Sequence, residues 1–297
     1  MKVKKGKDEK IFLGIAYVLT VLFAVICLLP FYLILVGSFT KESTILTEGY
    51  SFFLTARNFS LEAYKMAFKS PDTIVRAYGI TIFVTAVGTI TAVGLSAMTG
   101  YVLARPDFPW RNKISFFFFF TTLFSGGLVP WYLMCSKFFK FNNHVYSLIL
   151  PCLFSVWNMI IAKSFMKGIP FELTEAAKVD GAGDFRIFWK IILPAAKPLI
   201  ATIGLFTALT YWNDWYNSML FINNDHLYSL QYQLYKLIND AKELRKIAAE
   251  SGMVVDTVPI ESMKMALTVV VTEPIILLYP FVQRYFIKGL TLGAVKG

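Results

Sequence analysis

The chain contains six long stretches in which apolar residues dominate and charged residues are rare. Their approximate bounds are Ile11–Gly37, Thr73–Ala104, Ile114–Ser136, Val145–Met166, Leu199–Ile222 and Met265–Ile287. A helix needs about 20 mostly apolar residues to cross the hydrocarbon core of a bilayer, and each stretch is long enough. The pattern therefore predicts six transmembrane helices. The first stretch follows several lysines, as in a signal peptide, but it far exceeds the roughly 7–15 apolar residues of such a signal, so we expect a retained span.

The composition agrees with a membrane protein and excludes two other classes. Apolar residues make up 56% of the 297 residues and charged residues only 16%, and the mean hydropathy is +0.57. A soluble domain has about 45–50% apolar and about 25% charged residues. Disordered chains are poor in aromatic residues, whereas this chain contains 16%. We expect an all-α membrane protein whose transmembrane domain covers residues 11–297.

The net charge of +10 is concentrated in alternate connections between the predicted spans. The N-terminal tail, the second and fourth connections and the C-terminal end carry 17 of the 29 basic residues and seven of the 19 acidic residues. Cytoplasmic loops of membrane proteins carry an excess of Lys and Arg. The distribution predicts that residues 1–10 and the C-terminus are both cytoplasmic. It also explains the positive charge without nucleic acid as a partner.

The sequence lacks the motifs of several catalytic and cofactor sites. It has no G-x-x-x-x-G-K-[ST] loop for ATP phosphates and no H-E-x-x-H zinc motif, and its two histidines lie in separate external loops. The three cysteines fall in or beside spans without C-x-x-C spacing. We therefore expect no enzymatic activity, no metal and no cofactor bound by this chain.

Small residues recur every four positions along the second predicted span. They are Gly88, Ala92, Ser96, Gly100 and Ala104. This spacing places them along one stripe of a helix, where neighbouring backbones can approach closely inside a membrane. The stripe predicts a tight helix–helix contact.

The segment between the fourth and fifth predicted spans, residues 168–194, has the pattern of a docking element. Pro170 restricts the chain at its start, Phe171–Asp180 can form about three helical turns, and Gly181 can end that helix in a left-handed conformation. Asp184 is a candidate cap for a second helix. Four residues fall on one face of the first helix, namely Leu173, Ala176, Ala177 and Asp180. A face with two alanines can fit closely into a cleft of a partner.

This segment resembles a known motif. Glu175-Ala176-Ala177 is followed by Gly181 and then by Ile191-x-Leu193-Pro194, which matches the EAA motif of ABC importer permeases at each defining position. The resemblance covers nearly the whole chain and includes Trp212-Asn213-Asp214 and the tail Tyr279–Gly289. The chain is similar to MalG-type permease subunits of carbohydrate importers. Ser125–Trp131 and the last residues, Gly293–Gly297, resemble the LplC-like branch, which is associated with complex or uronic-acid-containing oligosaccharides.

The resemblance implies a fold, a set of partners and a set of site residues. The fold would be that of a type I ABC importer permease with a cytoplasmic coupling helix. The partners would be a second, different permease subunit, two ATPase subunits that bind ATP and Mg²⁺, and an external sugar-binding lipoprotein, all in or at a bacterial plasma membrane. Residues that would dock the ATPases are Glu175, Ala176, Ala177, Asp180 and Gly181, together with Gly293, Lys296 and Gly297 of the tail.

Two groups of residues are candidates for the solute path. In the fifth span, Trp212 and Tyr216 offer aromatic faces suited to sugar C–H surfaces, and Asn213 and Asp214 offer groups for hydroxyls. An aromatic belt at the membrane interface is the alternative there. In the sixth span, Glu273 precedes Pro274, and an ionised group in a bilayer should face protein or water. A buried helix contact is its alternative.

Two other functions stay open at this level. One is an ABC permease for a solute that is not a sugar. The other is a secondary transporter, although the sequence shows no convincing internal repeat of the kind many such transporters contain.

Overall fold

The computed structural model describes residues 6–69, 71–250 and 259–294, and the regular structure in these ranges is helical. The first seven helices are α1 (Lys7–Ser38), α2 (Glu42–Glu48), α3 (Glu62–Ala67), α4 (Pro71–Ala104), α5 (Arg111–Thr121), α6 (Leu128–Leu133) and α7 (Tyr146–Ile149). The others are α8 (Val156–Met166), α9 (Glu172–Val179), α10 (Asp184–Ile187), α11 (Leu193–Ala195), α12 (Lys197–Trp212), α13 (Tyr216–Phe221), α14 (Leu230–Glu250) and α15 (Ile260–Ala294). Short π-helical turns at Met134–Phe138 and Phe188–Ile192 extend α6 and α10.

The chain divides into two compact units. The first comprises Met1–Ser70 and Lys236–Pro274, and the second comprises Pro71–Tyr235 and Ile275–Gly297. In the first unit, the buried carboxylate of Glu42 accepts hydrogen bonds from the backbone N–H groups of Glu261 (3.0 Å) and Ser262 (2.9 Å). These N–H groups lie in the first turn of α15 and have no partner inside the helix, so Glu42 caps α15.

In the second unit, α4 packs against α8 and α12. Apolar side chains of these helices and of α9 and α10 form one buried cluster, which includes Ala97, Ala162, Ile187 and Ile203. The core therefore joins the membrane helices directly to the short helices between α8 and α12.

The stripe of small residues lies in this contact, which confirms the prediction. Ala92 and Ser96 are buried. A Cβ atom added to Gly88 would lie 2.5 Å from the ring of Tyr211, and one added to Gly100 would lie 2.5 Å from Cβ of Ala162. The two glycines therefore allow α4 to approach α12 and α8 at distances that a side chain would prevent.

Replacing Gly100 by valine should reduce the stability of the folded permease. The new side chain would also lie 2.9 Å from the backbone carbonyl carbon of Ala162, so α4 and α8 would have to separate. Overpacking of this kind costs about 1–3 kcal/mol. We expect a smaller fraction of the purified protein to stay monodisperse after heating. Gly94→Val is the matched control, because a Cβ there meets only Met98 Cε at 3.9 Å. Equal heat resistance of the two variants would contradict the prediction.

The helices follow the predicted spans only in part, because they contain interruptions that the hydropathy pattern does not show. The helices α1 and α4 are each long and apolar enough to cross a membrane. Two bent helix pairs, Tyr146–Cys152 with Val156–Met166 and Asp184–Ala195 with Lys197–Trp212, bring the number to at most four among the described residues if each pair is one span. The third predicted span is broken between α5 and α6. The sixth lies within α15, where the side chains from residue 278 onward are outside the described part.

Candidate functional site

The helix α9 ends in a tight hydrogen-bonded turn that Gly181 makes possible. The N–H of Gly181 donates to the carbonyl of Lys178 (3.0 Å), and the N–H of Ala182 donates to that of Ala177 (2.9 Å). This pair of bonds defines a Schellman motif, which needs a left-handed residue after the helix end. Gly181 has φ +79° and supplies it, as predicted. The turn fixes the direction in which the chain leaves α9.

The two faces of α9 differ in what they contact. Thr174 and Ala177 are buried, and Ala177, at 6% exposed, belongs to the core formed with α4, α8, α10 and α12. Glu175, Ala176 and Asp180 are exposed, together with Leu173 and Val179. Ala176 and Ala177 are adjacent, so the helical turn of about 100° per residue points them in different directions. The structure therefore places Ala176 on the exposed face of α9 and Ala177 in the core.

An ion-pair network joins α9 and α10 to the end of α4. Arg105 follows α4 directly, and its guanidinium donates two hydrogen bonds to Asp107 (2.8 and 2.5 Å) and one to Asp184 (2.6 Å). Lys178 of α9 lies 3.6 Å from Asp107 and 3.7 Å from Asp184. The expected capping role of Asp184 is thus replaced by a bond to Arg105, since Asp184 makes no side-chain cap bond in α10.

The electrostatics of this network keep it charged. The hydrogen bond from Arg105 lowers the pKa of Asp107 to about 2 and also lowers the pKa of Asp184. Both carboxylates are therefore ionised throughout the physiological pH range. The Arg105 side chain is 12% exposed, whereas both carboxylates keep contact with solvent. The network ties the segment after α8 to α4 at a point separate from the apolar core.

The solute-path candidates in the fifth span have unequal access to solvent. Trp212 is 7% exposed and packs near Tyr78, with ring centroids 6.3 Å apart. Asp214 Oδ1 accepts hydrogen bonds from the backbone N–H groups of Tyr216 and Asn217 (both 3.1 Å), so this carboxylate caps α13. Asn213 and Tyr216 are exposed. Of the four candidates, these last two are available to a solute.

An exposed aromatic pair beside them was not expected from the sequence. Trp215 stacks on Tyr235 at 4.9 Å between ring centroids, and Trp215 is 38% exposed. The amide of Gln231 donates to Asn213 Oδ1 (3.2 Å). Trp215 stands directly beside the predicted residues, but its partner lies 20 positions further along the chain. The spacing of neighbouring residues in the sequence therefore does not predict that these two rings stack.

The other predicted site residues lie in the last helix or beyond it. Glu273 of α15 is exposed. Gly293 is the penultimate residue of α15, and nothing further is described there. Lys296 and Gly297 lie outside the described residues. Within the described ranges, no group of three or more His, Cys, Asp or Glu side chains is arranged to hold a metal ion.

The helical membrane fold and the short helix between two spans define a class of protein, the integral membrane components of transporters. Residues 4–292 match the family model described as "Binding-protein-dependent transport system inner membrane component", and the chain belongs to this family. Its members are permease components of ABC importers rather than enzymes. A secondary transporter is thereby excluded.

Relatives and a solved structure agree with this family. The chain is 37% identical over 289 residues to the polygalacturonan/rhamnogalacturonan transport system permease protein YtcP of Bacillus subtilis (strain 168), covering 97% of this chain and 99% of the relative. It is 37% identical over 274 residues to protein LplC of the same organism, covering 92% and 90%. A crystal structure of a bacterial ABC transporter involved in the import of the acidic polysaccharide alginate matches with a TM-score of 0.78 and 26% identity. That match covers 96% of this chain and 100% of the solved chain, and the fold is that of a type I ABC importer permease.

Proposed function

We propose that this chain is one of two different permease subunits in an importer for complex or uronic-acid-containing oligosaccharides. The other components are two ATPase subunits, which bind ATP and Mg²⁺, and an external sugar-binding lipoprotein. The similarity to the polygalacturonan/rhamnogalacturonan permease and to the alginate transporter supports this solute class. The excess of Lys and Arg in alternate connections supports an orientation with both termini in the cytoplasm.

The segment Phe171–Gly183 couples the ATPases to the permease. Coupling requires an element that contacts the moving subunit and is fixed to the membrane helices. The outer face of α9 presents Glu175, Ala176 and Asp180, and its inner face is anchored by Ala177 in the core. The observation that carries this proposal is the double attachment of the segment, through the apolar core and through Lys178, which lies beside Asp107 in the Arg105 network.

Tryptophan substitutions at Ala176 and Ala177 test which face docks. A bulky side chain at the exposed Ala176 should block contact with the ATPases while the permease itself folds. The same side chain at the buried Ala177 should overpack the core and cost about 1–3 kcal/mol of permease stability. We expect Ala176→Trp to stay in the membrane but to lose the ATPase subunits on purification. We expect Ala177→Trp to lower the amount of folded permease. Retention of the ATPases and wild-type uptake in Ala176→Trp would contradict the proposed docking face.

The solute path runs past the exposed end of the fifth span, where Trp215 and Tyr235 present aromatic surface next to Asn213 and Tyr216. Aromatic faces pack against sugar rings, and side-chain amides can bind hydroxyls. Trp212 and Asp214 support this surface from within the chain, through core packing and through the cap of α13.

The double variant Trp215→Ala, Tyr235→Ala should raise the oligosaccharide concentration needed for half-maximal uptake by about tenfold, since each aromatic contact contributes about 0.5–1.5 kcal/mol. Uptake by proteoliposomes that contain the assembled importer measures this concentration. Trp157→Ala, which removes an exposed indole from α8, is the control. Unchanged uptake in the double variant would show that the pair serves only as an interface belt.

Glu273 is proposed to face the water-filled path or the second permease subunit. Its side chain is exposed in this chain, and an ionised group facing lipid at the bilayer centre costs roughly 2.5–3.5 kcal/mol. A partner or water would remove that cost. The Glu273 carboxylate would also repel an anionic sugar, so uronate recognition is assigned to other parts of the importer.

A further inference from the structure

A cavity of about 770 Å³ lies beside α9, between the end of α4, the start of α5 and the end of α8. Its lining includes Arg111 and Asn112 of α5, Lys167 after α8, and Tyr101 of α4. None of these residues belongs to the outer face of α9 that we assign to the ATPases. The cavity is large enough for a phosphate group with part of its glycerol backbone.

Two basic groups of this cavity lack a carboxylate partner among the described residues. The guanidinium of Arg111 donates to the backbone carbonyl of Arg105 (3.1 Å), and Lys167 is exposed. Arg105 also lines the cavity, but its charge is matched by Asp107 and Asp184. Glu172 brings one carboxylate to the lining. Lys163 lies one turn before Lys167 and donates to Ser115 Oγ (2.6 Å), which adds a further positive charge nearby.

The position of α5 indicates which kind of anion the cavity would meet. Arg111 begins α5, and the same helix continues with Phe116, Phe117, Phe119 and Phe120, all exposed. Trp110 is exposed, and the ammonium of Lys113 lies 4.7 Å from the centre of its ring. An aromatic residue with a nearby cation, followed by an exposed apolar helix, is typical of a membrane–water boundary. The cavity therefore opens where phospholipid headgroups lie.

We propose that this cavity binds the phosphodiester headgroup of an anionic phospholipid, held by Arg111, Asn112 and Lys167 next to the coupling segment. The position of this lipid at the cytoplasmic face rests on the proposed function and its orientation. Clusters of basic residues at a membrane surface attract anionic lipids in this way. A bound headgroup would fill the space between α9, α5 and α8. It would thereby restrict the motion of the N-terminal end of α9.

Retention of lipid by the assembled importer tests the proposal. The importer is purified from bilayers of equal parts phosphatidylethanolamine and phosphatidylglycerol, washed with detergent, and analysed by native mass spectrometry. The wild type should retain phosphatidylglycerol in preference to phosphatidylethanolamine. In Arg111→Gln, Lys167→Gln the affinity for phosphatidylglycerol should fall about 30-fold, and in Lys167→Gln alone about fivefold. Lys190→Gln, Lys197→Gln removes the same charge from exposed positions outside the cavity and should behave as wild type.

The outcomes separate this lipid site from the coupling role. Equal retention of the two lipids by the wild type, or equal retention of phosphatidylglycerol by the double variant and its control, would overturn the proposal. Displacement of the lipid by inorganic phosphate would show that the cavity binds free phosphate and would also overturn it. Because retention is measured without uptake, a failed coupling test in Ala176→Trp would leave the lipid result intact. The expected result is selective retention that depends on Arg111 and Lys167 and survives added phosphate.

Discussion

Replacing Gly181 by valine is expected to reduce uptake by the assembled importer strongly while the permease stays in the membrane. Gly181 has φ +79°, a conformation that costs other residues about 1–2 kcal/mol and β-branched residues more. Nothing lies within 4 Å of a Cβ added there, so the effect acts through the backbone alone. We expect the turn after α9 to change direction, binding-protein-stimulated ATP hydrolysis to be lost or uncoupled, and uptake to fall at least tenfold, within the range of typical coupling free energies.

Gly183→Val provides a matched control two residues away. Gly183 has φ −71° and ψ 157°, which any residue adopts, and it too has open space at Cβ. This variant should retain most of the uptake and the stimulated ATP hydrolysis. If Gly181→Val and Gly183→Val transported equally well, the left-handed turn would have no role in coupling.

Replacing Arg105 by glutamine should uncouple ATP hydrolysis from transport without unfolding the permease. Asp107 and Asp184 both keep contact with solvent, so they stay hydrated when Arg105 is removed, and their loss of a partner costs little stability. The link from α4 to α10 is broken, however. We expect uptake per ATP hydrolysed to fall about tenfold, which corresponds to loss of a coupling free energy of roughly 1–3 kcal/mol.

Two further variants refine this prediction. Arg105→Lys keeps the charge but lacks the planar fork that bonds two carboxylates at once, so it should restore only part of the coupling. Arg186→Gln removes an exposed arginine of α10 that makes no ion pair within the described residues, and it should behave as wild type. If uptake per ATP hydrolysed stayed unchanged in Arg105→Gln, the prediction would be wrong. The apolar core alone would then attach α9 to the membrane helices.

The coupling segment was predictable because its signals are local. Pro170 and Gly181 bound a short helix, and a glycine after a helix end adopts the left-handed conformation on its own. The close contact at Gly88 and Gly100 was predictable for a similar reason, since a spacing of four residues along one helix is visible in the sequence.

The orientation of α9 was not predictable in the same way. Ala176 and Ala177 are both small and adjacent, and apolar character alone does not show which of them faces the core. The contacts with α4, α8 and α10 decide it, and these lie far apart in sequence. The Arg105 network depends likewise on residues up to 79 positions apart.

A helix break decides which of the predicted solute-path residues are exposed, and the sequence pattern does not show this break. The apolar pattern runs through the fifth span, but the structure interrupts it between α12 and α13, where Asp214 caps the second helix. Around this break Trp212 is buried, whereas Trp215 is exposed together with the expected Tyr216.

The central claim is that the outer face of α9 contacts an ATPase subunit. A photoreactive phenylalanine analogue placed at Ala176 in the purified, assembled importer tests it most directly, with the same analogue at Trp157 of α8 as the control. We predict that irradiation joins position 176, but not position 157, to the ATPase, and that peptide mass spectrometry locates the bond in the ATPase. Cross-linking from position 176 only to lipid, or to the second permease subunit, would contradict the account.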